Sequence, residues 1–330
     1  MLPVALDAMG GDKAPDEIVA GAHRAVAELG VAVALVGRPE VLGPLAGDLE
    51  IIPASEVIPM SADPGSSVRT MKDSSLVRAA EAVRDGRASA MVSAGNTGAT
   101  MASALLRIGR IKGVARPAIA TPIPVPGHHP TILLDAGANA ECQAEWLLQF
   151  AQMGTVFART RYGIEQPRVG LLSIGEEASK GTSLVKEAHA LLAGSDALRS
   201  AGGTFVGNVE GRDVMTSEVD VVVTDGFTGN VVLKTLEGGM RTLVGAIFAA
   251  FETSPETKAA SEVLVPALLP LYATLDPDNT GGAMLLGVDG LCLISHGSSS
   301  ATAVVNAVRV AAELHAAGIV DDLRAAVAAP

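Results

Sequence analysis

The feature that most limits what this chain can fold into is a rhythm: short continuous apolar runs, each followed by a glycine-containing turn and a longer stretch of helical periodicity. That alternation predicts a parallel sheet wrapped by helices. The runs fall at 2–7, 31–36, 88–94, 117–123, 131–136, 168–174, 204–209, 219–225 and 290–295. They do not alternate polar with apolar, so each predicted strand is buried on both faces. Helices are predicted over 74–86, 96–109, 141–158, 181–193 and 298–317, and Pro15 with Asp16 and Glu17 marks a further helix start. The segment 228–275 breaks the rhythm. It is strand-free and interrupted near Ser254-Pro255, Pro266 and Pro270, which predicts a helical hairpin projecting from a single α/β domain spanning 1–330. The expected fold class is therefore α/β, with a doubly wound, mostly parallel sheet.

Composition narrows the function. Lys and Arg total 24 against 36 Asp and Glu, a net charge of −12, and aromatics are 3% of the chain. A nucleic-acid groove needs a positive field and stacking platforms, so nucleic acid is excluded as a partner. Cys142 and Cys292 stand far from any Cys or His at metal spacing and read as two buried thiols; no metal and no cofactor are expected. The start of the chain lacks a basic region and reaches Asp7 before an apolar leader can form, and no run is long enough to span a bilayer. A cytoplasmic protein is expected.

The chemistry is expected where strands stop. In an open parallel sheet, ligands bind beyond the carboxyl ends of strands, where glycine lets main-chain N–H groups approach an anion. Such turns recur at Asp7-Ala8-Met9-Gly10-Gly11-Asp12, Ser93-Ala94-Gly95-Asn96-Thr97-Gly98 and Asp135-Ala136-Gly137-Ala138-Asn139. Further along the chain come Ser173-Ile174-Gly175-Glu176-Glu177, Asp225-Gly226-Phe227-Thr228-Gly229-Asn230 and His296-Gly297-Ser298-Ser299-Ser300. Any one of them is explained by turn geometry and helix capping alone. Together they are expected to crowd hydrogen-bonding groups toward one edge of the sheet. Neither the phosphate-loop G-x-x-x-x-G-K-S/T nor a G-x-G-x-x-G fingerprint is present, and there is no G-x-S-x-G elbow or H-E-x-x-H pair. The simplest chemistry left is direct attack by a bound anion on an acyl carbonyl, with the protein positioning reactants and stabilising the oxyanion.

The strings ALDAMGGDKAP (5–15), KDSSL (72–76), SAGNTGA (93–99), GRIKGVARPA (109–118), DAGAN (135–139), PRVGLLSIGEE (167–177), FVGNVEGRD (205–213), TDGFTGNVVLKTLEG (224–238) and HGSS (296–299) resemble, in order and over nearly the whole chain, those of the phosphate acyltransferase family of bacterial lipid synthesis. The resemblance implies a fold like isocitrate dehydrogenases and phosphotransacetylases, a homodimer, and reversible transfer of a long-chain fatty acyl group from acyl carrier protein to inorganic phosphate. The acyl phosphate would supply phospholipid synthesis and pass to a membrane acyltransferase that uses it. Three departures stand out: Thr280 where the family has Tyr, Ser300 where Asp follows HGSS, and Thr70-Met71 before KDSS.

Phosphate is already an oxyanion nucleophile, so the enzyme must desolvate and aim it. Lys180, read as standing at the start of the helix after Gly175 and Glu177, is the first candidate for the charge that grips phosphate or the carbonyl oxyanion, because Lys there opposes the macrodipole and so has a functional reason. Glu177 would orient it. Lys72 and Arg69 are second candidates, and Asp7 and Asp12 would orient a Lys or the main chain. His296 would protonate the departing thiolate or donate to the oxyanion. Asn96, Asn139 and Asn230 would donate to phosphate or carbonyl oxygen. The expected catalytic residues are thus Lys180, His296 and Asn230; the expected binding residues are Asp7, Gly10, Gly11, Asp12, Lys72, Ser93, Gly95, Asn96, Thr97, Gly98, Asn139, Gly175, Glu177, Asp225, Gly229, Ser298 and Ser299. The hairpin residues Leu243, Ile247, Phe248, Phe251, Leu264, Leu268 and Leu269 recur at helical spacing as an acyl slot, a dimer contact or a peripheral contact with the inner membrane face. Arg107, Arg110, Lys112 and Arg116 form a basic patch for an acidic carrier, placed near the 93–99 turn. Rival readings are a short-chain phosphotransacetylase using coenzyme A, a decarboxylating dehydrogenase with metal and NAD(P), and a non-catalytic scaffold for lipid enzymes.

Overall fold

A computed structural model describes residues 2–328. Its strands are β1 (Val4–Asp7), β2 (Val33–Gly37), β3 (Glu50–Pro53), β4 (Ala90–Ser93), β5 (Ala118–Ile123), β6 (Thr131–Leu134), β7 (Arg168–Leu172), β8 (Thr204–Val209), β9 (Val221–Val223), β10 (Ala283–Leu286) and β11 (Leu291–Ile294). They form one eleven-stranded sheet in the order β3-β2-β1-β4-β11-β10-β5-β6-β9-β7-β8. All nine predicted runs are strands. β3 and β10 are additions: β3 is an edge strand in which only Ile52 is buried, and β10 pairs antiparallel with β11, outside the strand-turn-helix rhythm.

Helices cover both faces. Successive residues of β1 point into different core layers, Leu6 into one and Ala5 into the other. This is why the runs do not alternate. The first layer is closed by Ile18 and Val19 of α1 (Asp16–Leu29), with α6 (Ala144–Tyr162), α7 (Ser183–Ala193), α11 (Ala301–Ala316) and α12 (Ile319–Ala328). The second is closed by α3 (Pro64–Thr70), α4 (Ser75–Arg84), α5 (Thr97–Ser103) and the foot of α9 (Gly226–Phe251). Two short helices, α2 (Pro39–Ala46) and α8 (Asp196–Ser200), complete the wrapping with α10 (Pro255–Leu275).

The sheet is not uniformly parallel. β1, β2, β3, β4 and β11 run together, and so do β6, β7, β8 and β9. Between the two blocks every pairing is antiparallel: β11 with β10, β10 with β5, and β5 with β6. Three reversals leave the blocks pointing opposite ways. Their carboxyl ends lie on opposite edges of the sheet.

The hairpin is α9 and α10, with Ser254 capping the second helix through its hydroxyl and Pro255 in its first turn. At 1.5 Å per residue the 26-residue α9 is about 39 Å long. Only Gly226 and Gly229 of α9 are buried, and no residue of α10 is. Leu243 (62% exposed), Phe248 (47%) and Leu264 (52%) face outward, so the expected acyl slot is not enclosed within one chain. No single helix among the described residues is long and apolar enough to cross a membrane.

Candidate active site

The opposed blocks divide the expected site. The turns at 7–12, 93–98 and 296–300 follow β1, β4 and β11 on one edge; those at 135–139, 173–177 and 225–230 follow β6, β7 and β9 on the other. The expectation of a single edge is corrected. His296 stands on the first edge, Lys180 and Asn230 on the second.

On the first edge, β1 leads into α1 on one face while its neighbour β4 leads into α5 on the other. A crevice opens where the winding reverses. Three turns meet in it. The Asp12 N–H donates to the Gly297 carbonyl at 2.8 Å, and a Cβ on Gly10 would stand 2.9 Å from the main chain of Gly95 and against the Asp7 carboxyl. Glycine is needed at position 10 for that approach.

Asp7 is buried beneath the turns. It accepts from the Ser93 hydroxyl at 2.7 Å and the Met9 N–H at 3.2 Å. Burial raises its pKa above 3.8, partly offset by hydrogen bonds from Ser93, Ser75, Met9 and Gly10. The folded chain thus holds this proton more tightly than the unfolded chain. Its contribution to stability is complete below the unfolded pKa and is lost as pH rises through the folded one. Asp7→Asn cannot ionise, so its melting temperature relative to the parent is expected to climb as pH rises through the window above about pH 4, where the unfolded carboxyl ionises and the buried one resists. Parallel melting curves across that window would remove the argument.

Other members of this edge are already engaged. Asn96 accepts the Ala99 N–H at 2.9 Å as the cap of α5, and its amide donates to the Met60 and Ala62 carbonyls at 2.8 and 3.1 Å. Both donor hydrogens are spent, so the expected role as a ligand donor is corrected to a structural one. Thr97 is exposed at the mouth of α5, and Gly98 abuts Pro64. Lys72 and Arg69 are exposed on the same side, just before Ser75. His296 is exposed, with Nδ1 2.7 Å from the Ser298 hydroxyl, while Ser299 is buried and donates to the His296 carbonyl at 2.6 Å. Gly11 takes a left-handed φ of 109° against Ala94 and Gly297. The loop 59–62 and Ser75, absent from the expected set, complete this edge. The KDSSL string was the only signal for Ser75.

On the second edge the anion is the protein's own. The buried Asp135 carboxylate accepts from the N–H groups of Ile119, Gly137, Ala138 and Asn139 and from the Asn139 amide, all within 2.7–3.0 Å. Asn139 gives its other hydrogen to the Pro117 carbonyl at 2.8 Å. Neither the DAGAN turn nor Asn139 has a donor left for phosphate, which corrects the expectation for both. Asp225 caps α9 through the Thr228 N–H at 2.8 Å, and Gly229 lies directly on the Asp135 carbonyl. Asn230 is exposed beside Gly137.

Lys180 is not in a helix: α7 starts at Ser183 behind the Thr182 cap, and Lys180 occupies the turn before it, its side chain exposed and folded over Gly175. The dipole argument therefore does not apply. Ion pairs of this loop run from Arg212 to Glu176 and Glu210; none joins Lys180 to Glu177 among the described residues. Past α5 the chain reaches this same edge, where the Ile111 N–H donates to the Gly287 carbonyl beyond β10. The basic patch is thus away from the 93–99 turn. There Arg110 reaches the carbonyl of Ala115, Arg116 lies 5.0 Å over the Trp146 ring and Lys112 is exposed, while Arg107 pairs with Glu81 at 3.9 Å.

Cys292 is buried in β11 and Cys142 is half-buried; burial, joined at Cys142 by the Asp135 charge, pushes both thiols up to about 12. Neither is a ready nucleophile near neutral pH.

Residues 2–321 match the model of a family described as fatty acid synthesis protein. A phosphate acyltransferase from Elusimicrobium minutum is 48% identical over 331 residues, covering 97% of this chain and 94% of its own. One from Heliobacterium modesticaldum is 48% identical over 316 residues, with 93% and 92% covered. This chain belongs to the phosphate acyltransferase family. A phosphotransacetylase structure from Streptococcus pyogenes superposes with a TM-score of 0.65 at 17% identity, covering 97% of this chain and 94% of that one. The EutD phosphotransacetylase from Staphylococcus aureus gives 0.63 at 16%, with 95% and 94% covered. At these identities the likeness establishes the fold, and with it the doubly wound architecture expected of the family.

Proposed function

We propose that the chain transfers a long-chain fatty acyl group from acyl carrier protein to inorganic phosphate, giving acyl phosphate for phospholipid synthesis. Family membership over nearly the whole chain carries the reading. The first edge suits the chemistry. Its glycine turns approach closely enough to seat a small anion, and the exposed ring of His296 stands beside them. Phosphate held there attacks the thioester carbon; the protein supplies aim and a place for the oxyanion.

Lys180 and Asn230 stand on the other edge, which also bears Lys112 and Arg116. This reading gives that edge to an acidic carrier, whose approach a basic rim would steer. The exposed apolar faces of α9 and α10 are taken as the contact with a second copy, their far end meeting the inner membrane face where acyl phosphate passes to a membrane acyltransferase.

Incorporation of labelled phosphate with purified palmitoyl-carrier tests donor, nucleophile and reaction together. Label in acyl phosphate is expected with that donor and far less with acetyl-coenzyme A. Turnover of the acetyl thioester alone would replace the substrate class proposed here.

A further inference from the structure

His296 leaves the sheet at the end of β11, and its Nδ1 faces one residue twice. The Ser298 hydroxyl lies 2.7 Å from it, and the Ser298 main-chain N–H reaches the same nitrogen at 3.3 Å. A hydroxyl can donate or accept, but a peptide N–H only donates. Nδ1 must therefore present its lone pair; a proton there would point at the N–H. Ser298 is not free to turn away, because the next residue is buried, its hydroxyl and N–H both bonded to the His296 carbonyl at 2.6 and 3.0 Å. The ring proton is left on Nε2, which has no protein partner among the described residues.

We propose that His296 works as a neutral imidazole whose Nε2–H donates to the thioester carbonyl oxygen as it becomes an oxyanion, and that Ser298 is the positioning residue that holds this tautomer. The inference rests on the acyl-to-phosphate reading and deepens it. When a phosphate oxygen attacks the carbonyl carbon, a C–O bond forms and the π pair moves to the carbonyl oxygen. As that oxyanion collapses the C–S bond breaks, and its electron pair leaves on sulfur as thiolate. Atoms and charge balance with no proton drawn from the ring. A neutral imidazole that gave up its Nε2 proton would become imidazolate, a far stronger base than a thiolate whose thiol has a pKa of about 8.5. Of the two roles open to His296, donation to the oxyanion is consistent with the geometry and protonation of the leaving group is not.

The test uses the full chain and palmitoyl-carrier. His296→Gln restores an N–H near the Nε2 position and His296→Ala offers none. The Ala variant is expected to lose about 10²- to 10³-fold in kcat, the usual cost of one oxyanion donor, and the Gln variant to stay within about tenfold of the parent. Ser298→Ala is expected to lower kcat roughly 3- to 10-fold, the worth of one neutral hydrogen bond, with Ser298→Thr restoring it. Nitrogen-15 spectra of histidine-labelled protein are expected to show a protonated Nε2 and a bare Nδ1. If the parent makes acyl phosphate but His296→Gln falls as far as His296→Ala, or if Nδ1 carries the proton, the inference is overturned while the reading stands. If the parent makes no acyl phosphate from any thioester, both fall together.

Discussion

Asp135→Ala is expected to be the most damaging single change in this chain, leaving little soluble protein and costing at least about 5 kcal/mol where unfolding can be followed. The carboxylate is fully buried and collects five N–H donors, four from the main chain and one from Asn139. Removing it orphans the buried Ile119 N–H and takes the acceptor from four more donors at a half-buried turn. Each such orphan costs about 1–3 kcal/mol, and the stability of a whole domain is only about 5–15. Asp135→Asn keeps one accepting oxygen and is expected to recover part of the loss. Urea unfolding of the three proteins measures it; an Ala variant within about 1 kcal/mol of the parent would show that the turn closes without its carboxylate.

Gly229→Ala is expected to cost about 3 kcal/mol or more at the same turn. A Cβ there would sit on the Asp135 carbonyl oxygen, 3.0 Å from its carbon and 3.1 Å from Thr224 Cγ2. The oxygen belongs to main chain pinned by the Asp135 network, so it has nowhere to move. The foot of α9 would have to lift from the sheet instead. Gly239, higher in the same helix, is the control: a Cβ there meets nothing within 4 Å, and Gly239→Ala is expected to stabilise by about 0.5–1 kcal/mol. Equal melting temperatures for the two variants would mean that the α9 foot accommodates a methyl group.

The strands were legible because burial on both faces leaves long apolar runs, and the hairpin because Pro255 and Ser254 punctuate it. The strand directions were not. Whether β5 pairs antiparallel with β6 depends on how the chain crosses the sheet, and no local string encodes that; without it, six similar turns look like one site. Asn96 and Asn139 misled for a related reason. An amide that caps a helix or clasps a carbonyl is the same letter as one that awaits a ligand, and only the Met60, Ala62 and Pro117 carbonyls tell them apart. Lys180 fell to a boundary: the helix starts at Ser183, two residues later than the expected 181, which moves the side chain from a dipole to a loop.

The place of β11 between β4 and β10 bears on how the molecule is made. β4 ends at Ser93 and β11 begins at Leu291, so 198 positions separate neighbours in the sheet. At a synthesis rate of about 5–20 residues per second, the apolar flank of β4 and the side of α1 that receives Val304 of α11 stay uncovered for roughly 10–40 s. The amino-terminal block cannot finish folding on the ribosome by itself. Its edge stays open until the last strand and helix emerge, and a chain cut short before Leu291 would carry a bare sheet edge instead of being a smaller enzyme.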